Sequence, residues 1–233
     1  MTVHFQYFLP ALLLLWMPRS WLYWRERPPA PRRRGTLGRL VRRLKKPSVN
    51  YDRTTRVVRF WPEFFKRRNL IDLARAGVGA WAVCDFSFTL EVPDPAAMTD
   101  SGVGTIATTA MSTILLVAVA IQTFRPHGGR MVLVAPIYFV TGVSMGVLGV
   151  LPGLLAWALI WALSPLLFGP ERLLLTYTLL LGLFGPLFGG YDRTIAWMPA
   201  AAALLPVLVS LFGKRPLRLS VQRKLAAAGG SEE

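Results

Sequence analysis

The chain is poor in the residues that build metal and redox sites. Its 233 residues include one cysteine, Cys84, and two histidines, His4 and His127. A single thiol excludes an intrachain disulfide and a cysteine metal cluster. Two imidazoles are too few for haem or a di-metal site held by several histidines, so no cofactor is expected. Acidic residues are also scarce, 12 against 27 Lys and Arg. The scarcity of charge is greatest over residues 131–212, where only Glu171, Arg172, Asp192 and Arg193 are charged. A globular core does not need so long an apolar block, whereas a bilayer does. Each membrane-spanning helix takes roughly 20 apolar residues, because the hydrocarbon layer is about 30 Å thick and a helix rises 1.5 Å per residue. The block has room for about four such spans.

What is present points the same way. Hydrophobic residues make up 53% of the chain, above the soluble norm. The net charge of +15 is concentrated, with 18 of the 27 cations between Arg19 and Arg75. In a soluble protein such a run would suggest nucleic acid. Flanked by apolar spans, it marks instead a cytoplasmic face in contact with anionic lipid headgroups, each cation near the surface contributing about 1 kcal/mol. No nucleic-acid partner is expected.

Residues 1–24 read as an uncleaved membrane anchor: an apolar run with no preceding cation, no small-residue cleavage pattern, and many cations after it. Residues 25–69 form a basic cytoplasmic segment. Within it, Leu37, Leu40 and Leu44 fall on one helical face, and Arg39, Arg42 and Arg43 lie elsewhere around the helix, the pattern of an amphipathic helix on an anionic surface or a partner protein. Trp61 beside Lys66, Arg67 and Arg68 reads as an interfacial belt. Residues 70–212 form the bundle, with spans expected at 70–92, 103–124, 131–151, 154–168, 173–190 and 195–212. Residues 213–233 form a basic cytoplasmic tail. The expected fold is thus an all-α polytopic membrane protein of about seven transmembrane helices, N-terminus outside and C-terminus cytoplasmic. If residues 5–24 and 70–92 lie in the interface, the count falls to five. The seven-span topology places 26 of the 27 cations inside and only Arg193 outside.

Few constellations carry chemistry. Gly142 with Gly146, Gly149 with Gly153, and Gly185 with Gly189 are small-xxx-small pairs that let helices approach closely. Ser144, between Gly142 and Gly146, resembles the nucleophile setting of rhomboid-type intramembrane proteases, but no histidine follows His127 to activate it. Asp72, Arg75, Asp85 and Gln122 are the polar groups within spans and could line a path for protons or a small solute. The absence of a catalytic motif favours a non-enzymatic role: an integral membrane subunit that packs within and stabilises a larger complex, its basic segment contacting anionic lipid or partner subunits. The alternative is a small transporter, channel or lipid-handling protein using Asp72, Arg75 and Asp85. Richness in Arg, Ala, Leu, Gly and Pro points to a bacterial inner membrane.

Overall fold

The structure, a computed structural model, describes residues 2–22, 64, 66–89, 102–127, 130–188 and 193–218. The expected amphipathic helix with Leu37, Arg39, Leu40, Arg42, Arg43 and Leu44 lies outside the described residues, as do Trp61 and Gly189. The described chain is mostly helical and belongs to the all-α class, with seven helices of 12 to 22 residues. These are α1 (Phe5–Trp16), α2 (Arg67–Trp81), α3 (Gly102–Thr123), α4 (Ile137–Leu148), α5 (Val150–Leu163), α6 (Pro170–Phe188) and α7 (Met198–Phe212). Two of them, over Gly104–Thr123 and Pro170–Phe188, are long and apolar enough to cross a membrane.

The helix ends follow local chemistry. A residue before proline is pushed out of the helical region, and Met17, before Pro18, has ψ of 119°, which stops α1. A short helical turn, Arg19–Leu22, follows. Helix α2 continues into a π-helical turn, Ala82–Phe86, closed by the Ser87 hydroxyl donating to the Ala82 carbonyl at 2.7 Å. Strand β1 (Thr2–Val3) then pairs with β2 (Phe88–Thr89), and the His4 N–H donates to the Ser87 carbonyl at 3.0 Å. The start of α1 is thereby tied to the far end of α2.

The stretch expected to be one span over 131–151 is built differently. Phe124–His127 (β3) and Arg130–Leu133 (β4) form an antiparallel hairpin with Phe124 opposite Leu133 and His127 opposite Arg130. The sequence between the two strands is Gly128-Gly129, a pair of residues common in tight hairpins. Pro136 sets the start of α4, and Gly149 ends it with φ of +90°, a conformation that glycine adopts without a Cβ penalty. Helix α5 begins at the next residue. Pro165 lies in a 3₁₀ turn, Ser164–Leu166, at its end.

Helix α4 is the centre of the bundle. Every residue from Ile137 to Ser144 is buried, and the helix touches α2, α3, α5, α6 and α7. Its closest neighbour is α2. A Cβ on Gly142 would collide with the Leu73 carbonyl and come within 2.8 Å of the Ala76 Cβ; one on Gly146 would lie 2.6 Å from the Gly77 carbonyl and 2.7 Å from the Ala80 Cβ. The two helices therefore meet backbone to backbone, with Ala76, Gly77 and Ala80 supplying the small surface opposite. Gly153 of α5 is pressed against Met145 in the same way, and Gly185 of α6 against the Ala196 carbonyl. Gly149 serves the turn between α4 and α5 rather than a packing face.

This geometry yields a contrast. Gly146→Ala places a methyl group against fixed backbone, at a cost of about 1–3 kcal/mol, which lowers the thermal midpoint of the purified protein by roughly 3–10 °C. Gly104→Ala enters open space on α3 and shifts the midpoint by less than about 2 °C. Equal shifts for the two variants would show that the close α2–α4 approach does not exist.

Candidate functional site

Ending a helix leaves its last carbonyls without partners. At the end of α1 those of Leu14, Leu15 and Met17 are received by two side chains from other helices. Arg75 Nη1 donates to Met17 O at 2.5 Å and to Leu14 O at 3.3 Å, and Gln122 Nε2 donates to Met17 O at 3.0 Å and to Leu15 O at 3.3 Å. Arg75 comes from the middle of α2 and Gln122 from the last turn of α3.

The same two side chains are held by further partners. Arg75 Nη2 donates to Gln122 Oε1 at 2.8 Å, and Arg75 Nε donates to Asp72 Oδ1 at 3.0 Å, the i,i+3 pair on one face of α2. The guanidinium also lies over the Phe139 ring of α4, 5.2 Å from its centre. Asp72 Oδ2 faces Arg19 Nε at 2.7 Å, and Arg19 also bonds the Asn69 side-chain oxygen. The Arg19 backbone N–H donates to Gln122 Oε1 at 3.3 Å. Asp72 and Arg75 are only 3% and 6% exposed, and Asn69 and Gln122 are buried as well. Both carboxylate oxygens and every face of the Arg75 guanidinium are therefore engaged. The knot joins α1, α2, α3 and α4, and among its described residues it sets two guanidiniums against one carboxylate.

Of the polar residues singled out from the sequence, the fold brings Asp72, Arg75 and Gln122 together. Asp85 is not among them: it sits in the π-helical turn beyond α2 and is exposed. Arg19 and Asn69 complete the cluster and were not singled out. The signal that could have found Arg19 is its position, a cation directly after the proline that stops an apolar helix. Lys66 is the residue before α2, Arg67 is exposed in its first turn, and Arg68 is half-buried.

Two smaller networks tie the remaining helices. The Ser144 hydroxyl is 2.8 Å from the Tyr177 hydroxyl and 2.8 Å from the Thr141 carbonyl, a buried link between α4 and α6. Both groups bonded to the Ser144 hydroxyl are oxygens rather than an imidazole. In the second network Glu171, in the first turn of α6, accepts from the Leu217 N–H at 3.1 Å and faces the Ser210 hydroxyl at 2.8 Å. The segment it holds continues to Arg218, whose N–H donates to Leu133 O at 3.0 Å and whose carbonyl accepts from the Ala135 N–H at 3.1 Å. Arg215 Nη1 donates to Met131 O at 3.1 Å. The C-terminal end of the described chain is thus laced to the hairpin.

Beside the main knot lies a cavity of about 30 Å³, next to Arg19, Gln122 and Arg125. Burial and the positive charges of Arg19 and Arg68 push the Arg125 guanidinium below its ordinary pKa, with Asp72 acting in the opposite sense. Among the described residues no group of three or more His, Cys, Asp or Glu could hold a metal ion. No family model matches the chain, and no curated protein and no solved structure matches it.

The knot's energetic coupling is measurable. Asp72→Asn leaves the half-buried Arg19 and the buried Arg75 without their shared counter-charge, a loss of about 3–5 kcal/mol. Arg75→Gln is comparably costly, because the α1 carbonyls lose their donors. The double variant is expected to fall short of the sum by at least 1 kcal/mol in thermal or denaturant unfolding. Strict additivity would mean that the two side chains do not act on one another.

Proposed function

We propose that the chain is a multi-pass integral membrane protein whose role is structural: it packs within a larger membrane assembly and stabilises it. In this reading the seven helices are seven crossing segments, the N-terminus is outside and the C-terminus cytoplasmic. Residues 25–69 lie along anionic lipid or a partner subunit, and the compartment is a bacterial inner membrane.

One observation carries the reading: the polarity of the fold is inverted. A water-soluble domain buries its leucines and exposes its charges. Here Asp72 and Arg75 are buried, while Leu175, Leu179, Leu183 and Leu187 form an exposed row along α6, with Leu179 74% exposed. Helix α1 shows Phe5, Leu9 and Leu13 outward, α5 shows Val150, Leu151, Leu154 and Leu155, and α7 ends on Phe212, 80% exposed. Of the two apolar stretches long enough to span, only 28% of each is buried within the chain. Contiguous apolar surface of this extent is stable in contact with hydrocarbon or another apolar protein face and unstable in water.

The hydrogen bonds group segment ends in a way that supports the topology. Residues 17–19, 69–75, 122–123, 133–135, 171 and 210–218 are linked at one end of the bundle, and β1, Ser87 and β2 meet at the other. Alternating ends are what successive crossings require. The short helices fit the same account: where α4 begins late, the extended backbone at 133–136 is bonded to Thr123 and Arg218 and is buried, the condition under which non-helical backbone is tolerated at membrane depth. A structural role is favoured over transport because Asp72 and Arg75 are each held by neighbouring groups and the cavity beside them is small, about 30 Å³.

The test is the state of the chain in native membranes. The protein is expected to resist carbonate extraction, to require detergent, and to leave the membrane in a stoichiometric particle with other chains when the detergent is mild and the particle is weighed by native mass spectrometry. Release by carbonate alone would overturn the membrane reading. Isolation as a lone chain or a small homo-oligomer would overturn the accessory role and leave the membrane placement standing.

A further inference from the structure

Helix α2 has one face that the bundle leaves open. Its exposed positions are Arg67, Ile71, Ala74, Val78 and Trp81, and the next exposed residue, Asp85, lies in the π-helical turn that continues the helix. From Arg67 to Asp85 the steps alternate between four and three residues, which puts these side chains in a single stripe. The opposite face, with Asp72, Arg75, Ala76 and Ala80, is the buried one. The stripe begins on a cation, is apolar through its length and ends on a carboxylate. At 1.5 Å per residue, Arg67 and Asp85 stand about 27 Å apart along the axis, close to the roughly 30 Å of a hydrocarbon layer.

The π-helical turn decides what stands beside that carboxylate. Residues five apart come round to one side there, and Phe86 meets Trp81 edge to face, with ring centres 4.9 Å apart at 87°. Tyr7, from α1, lies 5.6 Å from the Phe86 ring. An edge-to-face pair spends only one ring face, and Trp81 and Phe86 remain 50% and 40% exposed. Asp85 follows Trp81 by four residues, the spacing that makes side chains neighbours on a helix, and it has no hydrogen bond or ion pair among the described residues. The two stretches of chain that build this end, residues 2–18 and 76–124, hold Asp85, Glu91, Asp94 and Asp100, one imidazole, His4, and neither Lys nor Arg. A carboxylate beside aromatic faces suits an ammonium group, because the carboxylate supplies charge and the negative ring faces supply cation–π attraction. A water-soluble ammonium would leave the apolar stripe unused, whereas an amphiphile uses both. We propose that the open face of α2 seats a lipid whose headgroup ends in an ammonium, with its acyl chain along Ile71, Ala74 and Val78 and the ammonium on Asp85 and the Trp81–Phe86 pair. This seat rests on the membrane reading above and adds to it one lipid class and one set of side chains, at the end of the bundle opposite the arginine knot.

The experiment uses the full chain, extracted in mild detergent, delipidated and titrated with phosphatidylethanolamine or phosphatidylglycerol of the same acyl chains, with bound lipid counted by native mass spectrometry. The wild type is expected to retain its first phosphatidylethanolamine at about tenfold lower concentration than Asp85→Asn does. Phosphatidylglycerol has no ammonium, so Asp85→Asn holds it as well as the wild type or better. Asp85→Glu keeps most of the phosphatidylethanolamine retention. Trp81→Leu keeps an apolar side chain but loses the ring, and it weakens phosphatidylethanolamine alone. Trp21→Leu, which removes an exposed ring from the short turn after α1, leaves the difference between the lipids unchanged. Phosphatidylethanolamine retention that is equal in wild type and Asp85→Asn, or lost in folded Asp85→Glu, overturns the proposal. So does an equal fall of both lipids in Trp81→Leu, the result of a plain apolar belt. Free ethanolamine that raises the thermal midpoint of the wild type but not of Asp85→Asn, with no difference between the lipids, overturns the lipid source and retains the ammonium seat. Loss of a partner chain from the native particle in Asp85→Asn, with lipid retention unchanged, gives the stripe to a protein neighbour and overturns the lipid. A chain that needs no detergent defeats the membrane reading itself, a result distinct from a detergent-dependent chain whose lipid retention ignores Asp85.

Discussion

The guanidinium of Arg75 divides its donors among an aspartate on its own helix, a glutamine on α3 and the main-chain carbonyls that end α1. An apolar surrounding makes that arrangement necessary. Away from water, a terminal carbonyl left alone costs free energy comparable to a lost hydrogen bond, and a lone guanidinium costs far more. Joining the two problems solves both. Asp72 offsets the charge, Phe139 supplies a ring face, and Gln122 both donates to α1 and accepts from Arg75. The end of α1 is consequently fixed against α2 and α3 by atoms that have no other place to bond.

Fixing that end determines what the other helices can do. While α1 and α3 are clamped to α2 by the knot, α4 meets α2 along the adjoining small-residue face. Gly142 and Gly146 permit this only because Ala76, Gly77 and Ala80 face them. Dispersion between two backbones at this distance holds the pair together along its length. The buried Ser144–Tyr177 link then holds α6 to the same central helix, and the Glu171 contacts hold the end of the chain to α6. Polar bonds set the ends, and small residues set the middle.

Much of this was legible in the residues. The helical class, the glycine spacing on α4 and the i,i+3 relation of Asp72 and Arg75 follow from periodicity, which records which side chains share a face. What periodicity does not record is where two distant segments meet. The pairing of Arg75 with carbonyls some sixty residues earlier depends on a main-chain acceptor, which has no letter of its own in a sequence. The hairpin at 124–133 escaped for a related reason: Met131, Val132 and Leu133 are apolar and continue the pattern of α4, so hydropathy alone counts them as span. Gly128-Gly129 and Pro136 were the local signs that the backbone turns before the helix begins. Asp85, grouped with Asp72 by its chemistry, is separated from it by the rest of α2 and lies in the π-helical turn beyond.

A charge within a bundle has two uses that look alike in sequence. One is a conduit, which needs a group with an unengaged atom facing a continuous space. The other is closure, which needs every atom engaged and no space. Asp72, with each oxygen held by a different arginine, and Arg75, bonded on all sides, meet the second description. A cavity of about 30 Å³ lies beside them, lined in part by Arg19, Gln122 and Arg125. Closure at one end also accounts for the crowding of cations there. Two helices end at this point with their carbonyls directed alike, and the partial negative charge of those ends favours guanidinium groups over any other side chain that can reach. Arg75 therefore serves first to complete α1, and Asp72 is shared between it and Arg19.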